Sequence, residues 1–572
     1  MHTKRLIAGL TAITAALAGL TLGIGSANAD TLPQMGTTLT ITAAKEGQLA
    51  GRSFDAYKLA GYTEVAGTGS VEVTTEGDPV LGQVRDAMVE ATKDGTGDAR
   101  YTADDGDPLA WATNVAGRLD ITPDSPWAGR TRVMAEMIDT GVMSAAAHTA
   151  VADAAATQLR IDGLQPGLYL VTDAGDPADG ASWTGSLRMI ASTALTIDGV
   201  DGPKTLSDGT INLKNEEVPV PDKDVDDPTP SAGQNVTFTV HVTIPGYIGY
   251  RMDSYTYRVR DSFTRADVDA GRIAYHADGI ESVTVDGHTL TADDYTLTYH
   301  QGEDATGETT DDPTKAASFR LDLSAYIRRY DGTSSVNGVF TSAPLRGADV
   351  VITYRATAGV IGVEGVANKP VVDYSNKPGD TTIGTTPGPS VRVYNLPLTI
   401  VKTDRTTGKP LAGAEFEIVG TDKPGVSTPI GSEATGSDGT TTFTGLGAAT
   451  VKEGERRTFT VTYTLKETKA PDGHILPADA TFTVRIGGTL DYAAGLSDVT
   501  YEIVPDSGGL SQFATADSQR MSITVQNARV ITELPLTGGA GMALSVASAL
   551  LFAGAAGLVV ATSRSDKRDT TV

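Results

Sequence analysis

The chain has 572 residues, more than one hydrophobic core organises, so several domains are expected. Its net charge of −26 disfavours nucleic acid and anionic lipid as partners. It has no cysteine, which excludes thiol catalysis, disulfide stapling and zinc–thiolate sites.

Lys4 and Arg5 precede an apolar run from Leu6 to Ile24 and an Ala27-Asn28-Ala29 end. Residues 1–29 therefore read as a secretory signal cleaved after Ala29. A first domain, 30–214, opens with strand-like LTITAA from Leu39 and FDAYKLAGY from Phe54, and GLYLVTD from Gly167 lies near its end. Between these, Leu81, Val84 and Met88 share a helix face, and Val133 to Gln158 is rich in Ala and Met. The expectation is a β-domain with a helical insertion. Asp104, Asp105 and Asp107 have incomplete spacing for a calcium loop and read as a solvated turn.

A second domain, 215–389, contains the alternating runs NVTFTVHVTI from Asn235, YTYRVRD from Tyr255 and ADVVITYRATA from Ala348. Period-two alternation between turn signals predicts a β-sandwich. Gly379 to Pro389, rich in Gly, Thr and Pro, reads as an inter-domain connection. A third domain, 390–533, begins LPLTIVKTD and ends MSITVQNAR, with strand-like runs throughout. The fold class expected is mainly β: three tandem immunoglobulin-like sandwiches in a rod.

Residues 534–572 form a C-terminal unit. Leu534, Pro535, Leu536, Thr537 and Gly538 are followed by an apolar stretch from Ala540 to about Ala561 and by Arg564, Lys567 and Arg568. Such a stretch is long enough to span a bilayer, with the basic tail on the cytoplasmic side. The arrangement resembles the sorting signal of sortase substrates in Gram-positive bacteria. The resemblance implies that a sortase cuts after Thr537 and passes its acyl group to an amine.

In the third domain, LTIVKTDRTTGKPLAGAEFEI holds Lys402, YTLKETKAPDGH holds Glu467 and SITVQNAR holds Asn527. These passages resemble Cna B-type domains, in which a lysine and an asparagine join as an isopeptide. By that resemblance Lys402 is the nucleophile, Asn527 the acceptor and Glu467 the assisting acid. Elementary chemistry supports this, because burial depresses a lysine pKa, raises a glutamate pKa and supplies proximity.

In the second domain, VPVPDKDVDD, YTYRVRDSF and GVANKPVVDYSN hold Lys223, Asp261 and Asn368. They resemble the Cna A-like middle domain of shaft pilins, with Lys369-Pro370 replacing the usual small residues and Asn376 a rival acceptor. In the first domain, Lys45 and Lys58 lack an obvious Glu and Asn set.

INLKNE, nine positions before Lys223, resembles the pilin motif in its apolar alternation and Lys-Asn pair but lacks the Tyr-Pro. It implies Lys214 as the amine that receives Thr537 of the next subunit, with Lys204 the runner-up. The whole mature chain thus resembles a major (shaft) pilin. The partners implied are a pilin sortase, other copies of the chain, minor tip or base pilins and peptidoglycan, with any host ligand undetermined. No cofactor, metal or enzymatic turnover is expected. The competing expectation is a monomeric wall-anchored adhesin; a hydrolase on β-stalks ranks low, because residues 30–210 show no acid–base or nucleophile set.

Overall fold

Period-two alternation becomes sheet along most of the chain. In the computed structural model, the strand Asn235–Thr243 alternates exposed or half-buried Asn, Thr and His with buried Val and Phe, so one side faces the core. The structure describes residues 32–530 except 67, 116–117, 121, 124–126, 152, 154, 176–181, 200–201, 454–455 and 493. The signal stretch and the sorting segment with its Thr537 lie outside the described residues. Among the described residues no helix is long and apolar enough to cross a membrane. The architecture is mainly β, with several sheets distributed over successive domains.

In the N-terminal domain, one sheet runs Ser70–Thr75, Ser53–Val65, Gly167–Asp173, Met189–Ser192, with Ala147–Ala150 also on Ser53–Val65. A second places Thr210–Asn212 parallel to Leu39–Thr42, which also pairs with Gln158–Ile161. The expected helix is present as Val80–Ala91, with Val84, Ala87 and Met88 buried. The Ala-rich stretch from Val133 is different. Its helix, Arg130–Met137, ends before Asp139, and Ala147–Ala150 and Gln158–Ile161 are strands. Tertiary pairing overrides alanine's helix propensity there. Asp105 forms a capping box with Thr102, and Asp107 caps the helix Pro108–Thr113 while holding Thr75. Helix capping therefore accounts for those two carboxylates.

The middle domain is a sandwich. One sheet runs Asp222–Val225, Asn235–Thr243, Asp349–Ala358, Ile273–Val285, His288–Thr289. The facing sheet has Tyr257–Ser262 between Ser318–Asp322 and Val366–Ser375. The stretch read as a connection is partly sheet: Ile383–Pro387 and Val391–Val393 both pair with Val366–Ser375. The β-branched Ile383, Thr385, Thr386, Val391 and Val393 make that Gly/Pro-rich text competent to pair.

The C-terminal domain is a second sandwich, with Thr440–Leu446, Leu396–Asp404, Ser522–Asn527 and Ala514–Asp517 in one sheet. The other contains Glu415–Thr421, Arg456–Lys469, Thr481–Asp491 and Gly495–Ile503. Each of these two domains has its own apolar core. They meet through the segment 228–232: Thr229 and Ala448 exchange backbone and side-chain hydrogen bonds, and Ser231 Oγ accepts from Gly447 N. Buried Lys423 adds an ion pair to Asp227 and a hydrogen bond to the Ala448 carbonyl.

Candidate functional site: buried lysine–acid–asparagine clusters

In the C-terminal domain, Leu396–Asp404 and Ser522–Asn527 are parallel neighbours, with Lys402 opposite Val525 and Asp404 opposite Asn527. Residues two apart on a strand share a face, so Lys402 and Asn527 enter the core side by side. Glu467 reaches them from Arg456–Lys469 in the facing sheet. All three are buried. Lys402 Nζ donates to Glu467 Oε2 at 3.1 Å, and Asn527 Nδ2 donates to Glu467 Oε1 at 3.1 Å and to the Ile475 carbonyl at 3.3 Å. Asn527 Oδ1 has no hydrogen-bond partner among the described residues.

Burial dominates the electrostatics of this pair. It lowers the Lys402 pKa to about 8 and raises that of Glu467. Both shifts favour the neutral amine beside the protonated acid over the ion pair. Phe416 supplies a ring 5.3 Å from Nζ. The geometry therefore presents a nucleophilic amine, a proton carrier and a carboxamide in one dry site.

Beside it lies a latch. Asp404 Oδ2 accepts from Arg529 Nε at 2.6 Å and faces His474 Nε2 at 3.0 Å, while His474 Nδ1 faces the Asp472 carbonyl at 3.0 Å. Thr407 gives two further hydrogen bonds to Oδ1. The His474 bond first, then those from Arg529 and Thr407, hold the Asp404 carboxyl well below the usual range. Ile475 N donates to the Ala528 carbonyl, so the loop after Glu467 is tied both to Asn527 and to the residue that follows it.

In the middle domain, Lys223 sits on the strand Asp222–Val225 of one sheet, and Asp261 and Asn368 on adjacent strands of the other. All three are buried. Lys223 Nζ donates to Asp261 Oδ2 and to the Tyr354 hydroxyl. Tyr354 Oη stands 2.6 Å from Asp261 Oδ1 and 2.9 Å from Asn368 Oδ1, and Tyr275 Oη 3.3 Å from Asp261 Oδ1. Burial lowers the Lys223 pKa to about 8, and burial chiefly raises Tyr354 and Tyr275 well above the usual phenol range. Asn368 Nδ2 has no partner among the described residues. Asn376, the rival, lies one residue past that strand, and its carbonyl accepts from Gly185 N of the N-terminal domain at 2.6 Å.

The two sequence-derived sets are thus each brought together. The tyrosines, Asp404 and His474 were missed. Tyr354 was visible in principle: alternation in DVVITYRATA sends it inward with Ile352 and Ala356, and a buried phenol needs a polar partner.

Elsewhere the lysines are placed differently. Lys58 finds Glu76 at 2.9 Å and Gln165 Oε1 at 2.8 Å, but it is 19% exposed and no asparagine joins it. Lys45 pairs with Glu217 on the surface. Lys214 follows the strand Thr210–Asn212 and is only 2% exposed, its Nζ donating to the Asn212 carbonyl at 2.9 Å. It lines a cleft of about 320 Å³ between the N-terminal and middle domains, with Trp127, Leu187, Tyr250, Arg346 and Pro378. The buried Arg52–Asp173 pair supports the segment beside it: Asp173 accepts from Ser186 N, and Ser186 Oγ accepts from Lys214 N. Lys204 is exposed on Gly202–Ser207.

Residues 397–495 match the family model of the SpaA prealbumin-like fold domain. No curated protein sequence matches the chain. Among solved structures it is similar to the full-length major pilin SpaD of Corynebacterium diphtheriae, at 17% identity and a TM-score of 0.46, over 86% of this chain and 98% of that one. It is also similar to the T6 backbone pilin of serotype M6 Streptococcus pyogenes, at 16% identity and a TM-score of 0.47, over 87% and 100%. A third is the major pilin SpaA of C. diphtheriae, described as pointing to a modular pilus assembly with stabilising isopeptide bonds, at 15% identity and a TM-score of 0.40, over 86% and 100%. At these identities the likeness is one of fold.

Proposed function

We propose that the chain is the shaft subunit of a covalently polymerised surface pilus, in which a sortase joins Thr537 of one subunit to Lys214 of the next. What supports this above all is the pair of buried lysine–acid–asparagine sets in successive sandwiches of a cysteine-free chain that ends in LPLTG, an apolar stretch and a basic tail. The chain is a substrate of the sortase and carries out only its own internal closures. Its partners are that sortase, further copies of itself, minor pilins and finally peptidoglycan.

Each closure balances as an amide exchange. Glu467 or Asp261 takes a proton from the lysine, and the neutral Nζ attacks Cγ of Asn527 or Asn368. The acid gives its proton to Nδ2 and recovers one from Nζ. The Cγ–Nδ2 bond breaks, ammonia leaves, and the Nζ–Cγ amide remains. Folding supplies the proximity, worth about 7–11 kcal/mol of barrier.

The polymerising step asks more of Lys214. Its ammonium must leave the Asn212 carbonyl and turn into the cleft between the first two domains.

The test is an immunoblot of wall extract boiled in detergent, comparing wild type with Lys214→Ala. A high-mass ladder that collapses to monomer in the variant is the expected result. A ladder in both moves the acceptor, with exposed Lys204 next. A single wall-linked band in wild type overturns the shaft reading in favour of the monomeric adhesin.

A further inference from the structure

Of the polar groups in the middle-domain core, Tyr354 is the one that touches every member of the lysine–acid–asparagine set. Its hydroxyl accepts from Lys223 Nζ and lies within hydrogen-bond distance of Asp261 Oδ1 and Asn368 Oδ1. A phenol has a single hydrogen, so it donates to one of those two oxygens at a time. While Asp261 is a carboxylate, the shorter contact at 2.6 Å and the negative charge favour Asp261. When Asp261 accepts the Lys223 proton, that preference is removed. The hydrogen is then available to Asn368 Oδ1, at the moment when attack on Cγ pushes electrons onto that oxygen.

We propose that Tyr354 is a catalytic residue of the middle-domain closure, donating its hydroxyl hydrogen to the oxyanion that forms on Asn368 Oδ1. This rests on the reading that Lys223 and Asn368 close. The placement suits the role in three respects. The hydroxyl is preorganised, because Tyr354 is fully buried on the central strand Asp349–Ala358 and its ring stacks on Phe238 at 5.4 Å. The site excludes water, so a donor aimed at developing charge counts for more than it would in solvent. The phenol also keeps its proton, since burial holds its pKa well above the usual range. Tyr354 thus neither gains nor loses a proton over the cycle. The Cγ–Oδ1 electron pair moves out, is held by the O–H, and returns as ammonia departs.

The neighbouring Tyr275 is the natural control. Its hydroxyl bonds the Asp261 carbonyl at 3.1 Å and Oδ1 at 3.3 Å and also meets the Asn368 side chain, so it leans mainly on the acid. Removing it takes an equal hydroxyl from the same core without taking the Tyr354 donor from Asn368.

The experiment uses the full mature chain made by cell-free synthesis and quenched at intervals. Peptide mass then follows the Lys223–Asn368 cross-link and, as an internal clock, the Lys402–Asn527 cross-link. Tyr354→Phe is expected to slow the middle closure about a hundredfold or more, the usual effect of losing one oxyanion donor, and to leave the C-terminal closure unchanged. Tyr275→Phe is expected to slow the middle closure much less. Equal rates in wild type and Tyr354→Phe overturn the proposal, as does an equal loss in both phenylalanine variants. Wild type lacking the Lys223–Asn368 cross-link overturns the underlying reading instead. Folding is checked in a Lys223→Ala background, where no bond forms in either chain. If Tyr354→Phe does not fold there, fluorotyrosine placed at position 354 keeps the ring and strengthens the donor. Faster closure then supports the proposal, and unchanged or slower closure overturns it.

Discussion

In the C-terminal domain Lys402 and Asn527 stand on parallel neighbouring strands of one sheet, and Glu467 reaches them from the facing sheet. In the middle domain the lysine stands alone on one sheet, and the acid and asparagine come together from the other. A bond in the first case ties the first strand to the last; in the second it ties sheet to sheet. The carboxamides are also held by opposite ends. Among the described residues Asn527 has both nitrogen hydrogens engaged and its oxygen without a partner, whereas Asn368 has its oxygen engaged and its nitrogen without one. In the proposed closures the C-terminal site would hold the leaving group and the middle site would polarise the carbonyl. A buried polar atom without a partner costs about 1–3 kcal/mol; amide exchange would expel the unpartnered Nδ2 of Asn368 but would keep the unpartnered Oδ1 of Asn527.

The hardest way to break this comparison is to remove one acid at a time. Glu467→Ala is expected to abolish the Lys402–Asn527 bond and Asp261→Ala the Lys223–Asn368 bond, each leaving the other intact. Intact mass then shows one ammonia retained in each variant and two in the double variant. Each tie closes a loop of more than a hundred residues, so its loss removes about 4–5 kcal/mol in the chain-entropy view. A buried lysine without its acid adds about 3–5 kcal/mol more. A Glu467→Ala chain with both ammonias gone would show that the carboxyl is a bystander.

Much of this was legible in the sequence, for definite reasons. Lys402, Glu467 and Asn527 stand in passages that resemble Cna B-type domains, and it is that resemblance, more than alternation, that let their meeting be anticipated. The same holds for Lys223, Asp261 and Asn368. What could not be read was the second tier of contacts. His474 meets Asp404 at a sequence separation of 70, and no periodicity encodes that distance. Tyr354 joins Asn368 only once two sheets are stacked. The stretch after Val133 misled because alanine favours helix locally while a sheet edge takes the segment. Burial of Lys214 was likewise outside reach, since it depends on how two domains abut.

A gentler variation keeps the acids and removes only the acceptors. In Asn527→Ala and Asn368→Ala chains the lysine stays a free amine whose folded pKa is near 8 against an ordinary 10.5. Between those values the unfolded chain binds the proton and the folded chain does not, so stability rises with pH. Below about pH 8 both states are protonated and this contribution is flat. Above about pH 10 the trend reverses, because unfolded-state tyrosines ionise while the buried ones resist. Glu467 has the opposite slope in acid: its raised pKa lets the folded state hold a proton first, so stability there falls as pH rises. Urea midpoints between pH 7 and about 10 should climb in both variants and stay flatter in wild type, where the proposed closure makes the lysine nitrogen an amide. A flat profile in either variant would mean that its lysine is not desolvated.

The smallest effect sharpens the contrast instead of breaking it. Among the described residues the middle domain has no counterpart to the Asp404 latch in contact with its asparagine, so the question is whether that latch belongs to the chemistry or only to the frame. Arg529 is the donor to test, because its side chain is 57% exposed while His474 and Thr407 hold Asp404 from within. An exposed ion-pair partner contributes little, so Arg529→Ala should lower the melting temperature by about 2 °C or less. Closure should run at the wild-type rate, since the Asn527 carboxamide is held by Glu467 and the Ile475 carbonyl, whereas Arg529 Nε donates to Asp404. Peptide mass over the same time course checks this directly. Slowed closure with an unchanged melting temperature would mean that charge at Asp404 governs the reaction, and the latch would then belong to the active cluster.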